Sequence, residues 1–211
     1  MSACRADRRT RFRPFRRRTT VPAVGAVLVA LTTLSACGSG GTSGGGGETQ
    51  FVQGTGGVDI VKDQGARKDA PELSGTTLQG EELNATQKFK GKIIVFNVWG
   101  SWCAPCRAEA KNLVKAARDY KSKGVEFVGL NVRDPDKANS VAFEKTFEVP
   151  YPSIHDSGGK LILRFPKGNL NPQAIPSTVF IDRNGKIAGR ALKPLTEDEL
   201  TGTLDQLVAE K

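Results

Sequence analysis

The stretch KIIVFNVWGSWCAPCRAEA, residues 92–110, decides the fold, because a continuous apolar run passes directly into two cysteines with C-x-x-C spacing. A run of this kind, rich in β-branched and aromatic residues, predicts a strand that is covered on both faces. The residues after Cys103 predict a helix, since apolar residues recur at intervals of three and four from Ala110 to Ala117. The two thiols therefore lie where a buried strand ends and a helix begins.

This position favours redox chemistry for the cysteine pair. A thiolate at a helix N-terminus faces unpaired N–H groups and the positive end of the helix dipole, which lowers the thiol pKa from about 8.5 to about 3.5–7.5. We expect Cys103 to be the more exposed thiol and the attacking nucleophile, and Cys106 to resolve the mixed disulfide. Pro105 suits the first helical turn, where its missing N–H costs nothing.

The residues around the pair give little support to haem or metal. Haem attachment needs a histidine directly after the second cysteine, where Arg107 stands. A structural zinc site needs four ligands, and the domain offers only His155 besides the two thiols. His155 lies in the polar stretch IHDSGG, which predicts a surface turn. We therefore expect neither a metal nor another cofactor.

Residues 1–36 are typical of a signal peptide, with eight arginines before an apolar run from Val21 to Leu34. Fourteen helical residues span about 21 Å, short of the roughly 30 Å of a bilayer core, so a permanent transmembrane helix is disfavoured. The sequence Leu34-Ser35-Ala36-Cys37 resembles the bacterial lipobox, which implies that Cys37 is lipidated and becomes the mature N-terminus. Plain secretion with a free thiol stays open, as does the choice between the Sec and twin-arginine routes.

The net charge of +9 comes mainly from this N-terminal segment. Removing residues 1–36 takes away eight of 31 basic residues and one of 22 acidic residues, which leaves a charge near +2. A nearly neutral mature protein has no electrostatic basis for binding nucleic acid.

The rest of the chain divides into a tether and one domain. Residues 37–69 begin with Cys37 and a glycine-rich linker, and residues 51–69 are open between a docked strand and further linker. The domain spans residues 70–211. Its pattern predicts a hairpin over 71–83, strands at 92–98, 125–131, 178–182 and 186–192, and helices at 104–122, 137–147, 160–165 and, after the cap Thr196, 197–210. Strands that alternate with helices and then form a hairpin predict an α/β fold with a mixed sheet.

The sequence Trp102-Cys103-Ala104-Pro105-Cys106 resembles the W-C-x-P-C motif of the thioredoxin superfamily. With Glu109, the likeness extends to the W-C-x-P-C-x-x-E pattern of TlpA and ResA-type thiol–disulfide oxidoreductases. The resemblance covers residues 70–208 and implies a thioredoxin fold with helices flanking the sheet and an added N-terminal hairpin. It also implies a redox disulfide between Cys103 and Cys106.

The resemblance implies further site residues. Ile175-Pro176 stands where the family has a cis-proline loop, which implies that these two residues and Trp102 bind the substrate chain. Glu109 is implied as a proton acceptor or as a residue that tunes the pKa of Cys106, against the alternative of a solvent-facing helix carboxylate. Asn97 replaces the buried aspartate of thioredoxin itself, so Glu109 becomes the more plausible acid. Residues 166–174 form either a loop beside the active site that selects the partner protein or a surface insertion without such a role.

The function implied is reduction of disulfides in exported proteins by a monomer, lipid-anchored to the outer face of the bacterial cytoplasmic membrane. Apocytochrome c is one implied client, and a membrane protein of the CcdA or DsbD type is the implied electron donor. The direction of electron flow stays open. Two alternatives are a thiol peroxidase, whose usual P-x-x-x-[ST]-x-x-C arrangement is absent here, and a non-enzymatic lipoprotein that binds a solute or metal.

Overall fold

The computed structural model describes residues 52–53 and 57–210, which contain nine strands and four α-helices. The strands are β1 (Val52–Gln53), β2 (Asp59–Ile60), β3 (Ser74–Thr76), β4 (Glu82–Asn84), β5 (Ile93–Trp99), β6 (Val125–Val132), β7 (Ser153–Asp156), β8 (Ser177–Ile181) and β9 (Ile187–Ala191). The helices are α1 (Ala85–Lys88), α2 (Ala104–Tyr120), α3 (Lys137–Phe147) and α4 (Glu197–Ala209).

Seven strands form one mixed sheet in the order β1-β2-β9-β8-β5-β6-β7. Strands β5, β6 and β7 are parallel, whereas β8 pairs antiparallel with both β5 and β9. Strands β3 and β4 form a separate antiparallel hairpin. The α/β class, the mixed sheet and the N-terminal hairpin predicted from the sequence are thus confirmed.

The core lies on both faces of this sheet, because successive side chains of a strand point to opposite sides. Val95 packs with apolar residues of α2 and α4, whereas the next residue, Phe96, packs with the β3–β4 hairpin and with Phe165. All seven residues of β5 are buried, as a strand covered on both faces requires. Strand β5, which leads to the dithiol, is therefore covered on both faces and paired with a neighbouring strand on both edges.

Three predictions need correction. The stretch around His155 forms strand β7 and leaves the histidine half-buried, because pairing with β6 stabilises a segment whose own sequence favours a turn. Packing begins upstream of residue 70, since Val58 and Ile60 are buried in the core and β2 pairs with β9. The helix predicted at 160–165 is a single 3₁₀ turn, Ile162–Arg164.

The predicted signal peptide, Cys37 and the glycine-rich linker lie outside the described residues. Within the ranges that the structure describes, none of the helices has the length and apolar character needed to cross a bilayer.

Candidate active site

The two cysteines form a disulfide at the start of α2, with their Cα atoms 5.3 Å apart. Cys103 is the N-cap of the helix, and its Sγ accepts a hydrogen bond from the Cys106 N–H at 3.2 Å. The Sγ atom therefore faces the end of the helix where unpaired N–H groups and the helix dipole favour negative charge. Pro105 lies in the first turn, as predicted.

Exposure does not distinguish the two thiols, contrary to the expectation that Cys103 is the more exposed. Cys103 and Cys106 are 3% and 2% exposed, whereas Trp102 directly before them is 53% exposed. Their difference lies in position, because only the Cys103 sulfur caps the helix. Trp102 presents a large apolar surface beside the buried disulfide, and Trp99 is buried and stacks on Phe143.

Glu109 is buried on α2 and is 1% exposed, which excludes the solvent-facing alternative. One carboxylate oxygen accepts a hydrogen bond from Asn97 Nδ2 at 2.9 Å, and the other accepts one from the Leu195 N–H at 2.8 Å. Burial raises the pKa of Glu109 to about 7, although both hydrogen bonds act to lower it. A carboxyl group with this pKa can take up or release a proton near neutral pH.

A small cavity of about 10 Å³ lies behind Cys106. Asn97, which binds Glu109, lines the same cavity. This volume is about that of one water probe, and the asparagine amide supplies a polar partner at its wall. The cavity thus adjoins both Cys106 and the asparagine that holds the buried carboxyl group. Its other lining residues are Trp99, Ala110, Leu113, Phe143, Val149 and Tyr151.

The Ile175–Pro176 peptide bond is cis, as predicted from its place before β8. Ile175 is half-buried and packs against the apolar cluster that contains both cysteines. The preceding residues 166–174 fold back on themselves through turns, with the buried Asn169 side chain donating to the Pro166 carbonyl at 2.9 Å.

The sequence analysis missed a buried polar network beside residues 100–102, which directly precede Cys103. The network is centred on Asp134 and includes His155. Asp134 is 2% exposed and accepts hydrogen bonds from Ser101, Asn131 and Ser140. Burial favours the neutral carboxyl, but these hydrogen bonds outweigh it and lower the pKa of Asp134. His155 Nδ1 lies 2.9 Å from Asn131 Oδ1. The available signal was the position of Asp134 just beyond a strand parallel to the one that leads to the cysteines.

No group of three or more His, Cys, Asp or Glu among the described residues is arranged to hold a metal ion. The groups that the site presents for chemistry are the dithiol, the buried Glu109 carboxyl and the cis-proline loop.

The model of the AhpC/TSA family matches residues 66–190, more than half of the chain. The chain belongs to the AhpC/TSA family. Among curated members, the thiol–disulfide oxidoreductase ResA of Bacillus cereus is 31% identical over 140 residues, which cover 66% of this chain and 77% of ResA. The thiol:disulfide interchange protein HelX of Rhodobacter capsulatus is 38% identical over 147 residues, covering 68% and 77%.

The comparison with solved structures also finds thiol–disulfide proteins among those that this AhpC/TSA-family chain resembles. A DsbF homologue from Corynebacterium diphtheriae is 31% identical with a TM-score of 0.67, and the match covers 76% of this chain and 100% of the homologue. A secreted thiol–disulfide isomerase from Corynebacterium glutamicum is 27% identical with a TM-score of 0.68, covering 78% and 100%. The thioredoxin fold is thus confirmed, and the protein is a thiol–disulfide oxidoreductase.

Proposed function

We propose that the protein is exported, tethered to the membrane through Cys37, and reduces disulfides of exported proteins with its Cys103/Cys106 dithiol. The observation that carries the proposal is the position of the Cys103 sulfur, which caps α2 and accepts the Cys106 N–H. Export and tethering rest on the sequence of residues 1–37. Export is further supported by the similarity to secreted proteins of Corynebacterium glutamicum and Mycobacterium tuberculosis.

In the proposed reaction, the Cys103 thiolate attacks one sulfur of a substrate disulfide. A Cys103–substrate disulfide forms, and the other substrate sulfur leaves as a thiolate. The Cys106 thiolate then attacks the Cys103 sulfur and displaces the second substrate thiolate. Two electrons pass from the dithiol to the substrate, and the enzyme ends with the Cys103–Cys106 disulfide. A membrane electron donor of the CcdA or DsbD type would return the enzyme to the dithiol.

Glu109 has the proposed role of taking the proton from Cys106 before the second attack. The two residues are three positions apart on α2 and therefore lie on the same side of the helix. Asn97 connects them, because its amide binds Glu109 and lines the cavity behind Cys106. A pKa of about 7 suits a group that must gain and lose a proton near neutral pH.

Trp102 and the cis-proline loop are the proposed contacts for the substrate chain. Trp102 is exposed beside the disulfide, and Ile175 packs against the cluster that contains both cysteines. Pro176 directly precedes β8, and the backbone of Ile175 beside it is the proposed pairing site for an extended substrate segment. Apocytochrome c is a proposed client, as the ResA-like motif implies.

The dithiol reaction is tested with Cys103→Ser and Cys106→Ser variants and a peptide that contains one disulfide. Cys103→Ser should abolish exchange, whereas Cys106→Ser should accumulate a mixed disulfide with the peptide, visible on a non-reducing gel. Titration of the wild-type couple against glutathione then gives the direction of electron flow. A potential below about −220 mV agrees with a reductant, and a value near −120 mV would contradict it.

Tethering is tested separately by fractionating cells that produce the wild type or a Cys37→Ala variant. The wild type should sediment with membranes, and the variant should lose the anchor. A variant that stays with the membrane as fully as the wild type would contradict lipidation at Cys37 but would leave the dithiol reaction unaffected.

A further inference from the structure

We propose that residues 132–134, which we call the clamp, position the dithiol loop, residues 100–102, for disulfide exchange. In this role Asp134 and Arg133 are positioning residues that act through the segment before Cys103. The inference rests on the dithiol reaction and is independent of export, anchoring and the direction of electron flow.

Strand pairing places the clamp beside the dithiol loop. Strands β5 and β6 are parallel, and Trp99 at the end of β5 pairs with Asn131 near the end of β6. The carboxyl ends of parallel strands meet at one edge of a sheet, so the segments that follow them leave side by side. Residues 100–102 and 132–134 are therefore neighbours although they are far apart in the sequence.

Two of the contacts involve the ends of the dithiol loop. Gly100 has no room for a side chain, because a Cβ there would lie 2.9 Å from Trp102 Nε1 and 3.2 Å from the Val132 carbonyl oxygen. The guanidinium carbon of Arg133 lies 4.8 Å from the centroid of the Trp102 ring. The exposed indole is thus held between Gly100 on its own segment and a cation from the clamp.

The central contact is made by Ser101 and Asp134. The Ser101 N–H donates to Asp134 Oδ2 at 2.8 Å, and its hydroxyl donates to Oδ1 at 2.7 Å. Both carboxylate oxygens therefore bind one residue of the loop, at a site where Asp134 is buried. Two hydrogen bonds to a charged acceptor fix the orientation of the loop as well as its distance.

Asp134 is itself held in place by residues outside the dithiol loop. Its Oδ2 also accepts hydrogen bonds from Asn131 Nδ2 at 2.7 Å and from the Ser140 hydroxyl at 3.0 Å. Ser140 lies on α3 and is fully buried. The carboxylate is thus oriented before it binds Ser101, which is the arrangement that keeps a supporting group rigid.

The backbone conformation of Arg133 allows two contacts to form, that of its own side chain with Trp102 and that of Asp134 with Ser101. Its φ is 57°, in the left-handed region that residues other than glycine, asparagine and aspartate seldom adopt. The Arg133 N–H donates to the Ser157 carbonyl at 3.3 Å, which ties this turn to the end of β7. An unusual backbone conformation beside a functional site is an observation that supports a positioning role.

The clamp reaches the nucleophile through the backbone of the dithiol loop. The Cys103 N–H donates to the Gly100 carbonyl at 3.1 Å, so residues 100–103 form one closed turn. Movement of Ser101 therefore shifts the Cys103 sulfur relative to the helix end that it caps. A misplacement of about 1 Å at reacting atoms can lower a rate by as much as about a hundredfold.

The test compares Ser101→Ala with Thr203→Val, because each variant removes one hydroxyl group and Thr203 lies on α4, where its hydroxyl donates to the Glu199 carbonyl and not to Asp134. Rates of exchange between the reduced proteins and a disulfide-bonded peptide are measured beside the melting temperatures. Ser101→Ala should slow exchange by about tenfold, and Thr203→Val by less than about twofold. Equal slowing by both variants would overturn the clamp.

Replacement of Asp134 adds a readout that a purely structural role would not move. Asp134→Asn keeps the shape of the side chain and one acceptor oxygen and should retain most of the exchange rate. Asp134→Ala should lose most of the exchange rate and should shift the equilibrium of the Cys103/Cys106 couple with glutathione. Parallel loss in rate and melting temperature without a shift in that equilibrium would overturn the proposal. An inactive wild type would overturn the dithiol reaction as well, whereas a fully active Ser101→Ala would overturn the clamp alone.

Discussion

The residue that most clearly connects burial to chemistry is Glu109. Ionisation of a carboxyl group that is 1% exposed is unfavourable in free energy. Its two hydrogen-bond donors, Asn97 Nδ2 and the Leu195 N–H, offset only part of this unfavourable term. The pKa of Glu109 is therefore raised from 4.5 to about 7. A buried carboxyl group thus lies on the helix that begins at the dithiol, and the folded protein loses stability when that group is charged.

This raised pKa predicts a pH-dependent stability difference between the wild type and Glu109→Gln. The stabilising contribution of the carboxyl group is complete below pH 4.5 and is lost as the pH rises through about 7, because the folded protein binds the proton more tightly than the unfolded chain. Relative to the wild type, the variant should gain about 3 kcal/mol in free energy of unfolding between pH 4.5 and pH 8.

Urea unfolding at both pH values measures this difference, and Glu81→Gln, at an exposed position, is the matched control. The control should follow the wild type. Parallel curves for the wild type and Glu109→Gln would contradict the raised pKa. In exchange assays, the same Glu109→Gln variant should lose any inflection near pH 7 in the rate at which Cys106 resolves the mixed disulfide.

Among the strands and helices, close packing at the centre of the sheet is seen where β6 passes between β5 and β7. A Cβ at Gly129 would lie 2.2 Å from Ser153 Oγ on β7 and 2.8 Å from Trp99 Nε1 on β5. Trp99 in turn stacks on Phe143 of α3, with ring centroids 4.3 Å apart. The glycine therefore allows the tryptophan to lie flat between the sheet and α3, next to the cysteines.

Gly129→Ala should destabilise the protein, because either Ser153 or Trp99 must move to admit the methyl group. Overpacking of this kind costs about 1–3 kcal/mol. Gly202→Ala is the matched control, since Gly202 lies within α4 and a Cβ there meets nothing within 4 Å. The control should stabilise the protein by about 0.5–1 kcal/mol. Denaturant unfolding measures both, and a neutral Gly129→Ala would contradict the tight packing.

At the scale of the whole molecule, Arg67 joins the N-terminal segment to the C-terminal end of the domain. Its guanidinium donates to Glu210 twice at 2.7 Å and to Asp182 at 2.9 Å, and its Nε donates to the Val61 carbonyl at 3.0 Å. Asp182 follows β8, which runs antiparallel to β5, so this ion pair lies at the end of the sheet opposite the dithiol.

Arg67→Met should lower the free energy of unfolding by about 3 kcal/mol, because it leaves two largely buried carboxylates without their cation. Lys115→Met, which removes exposed ion pairs with Asp119 and Glu197, should leave the unfolding midpoint nearly unchanged. Exchange rates below the melting temperature should be normal in both variants. A large loss of exchange in folded Arg67→Met would show that the two ends of the sheet are coupled.

Features that arise within one segment could be predicted from the amino-acid sequence alone. Helix α3 has the predicted bounds of residues 137–147, and Thr196 caps α4 with a reciprocal bond to Glu199, because periodicity and capping depend on residues a few positions apart. The C-x-x-C pair at the junction of a buried strand and a helix was predicted for the same reason.

Features that depend on residues distant in the sequence became visible only in the tertiary structure. Strand β7 exists because it pairs with β6, and residues 58–61 are packed because β2 pairs with β9. Burial in the folded domain raises the pKa of Glu109, and the hydrogen bond that offsets part of this rise comes from Leu195, 86 residues away. The orientation of Ser101 depends on Asp134, 33 residues away. Burial and long-range hydrogen bonds are set by which segments the fold brings together, and neither leaves a signal in local residue spacing.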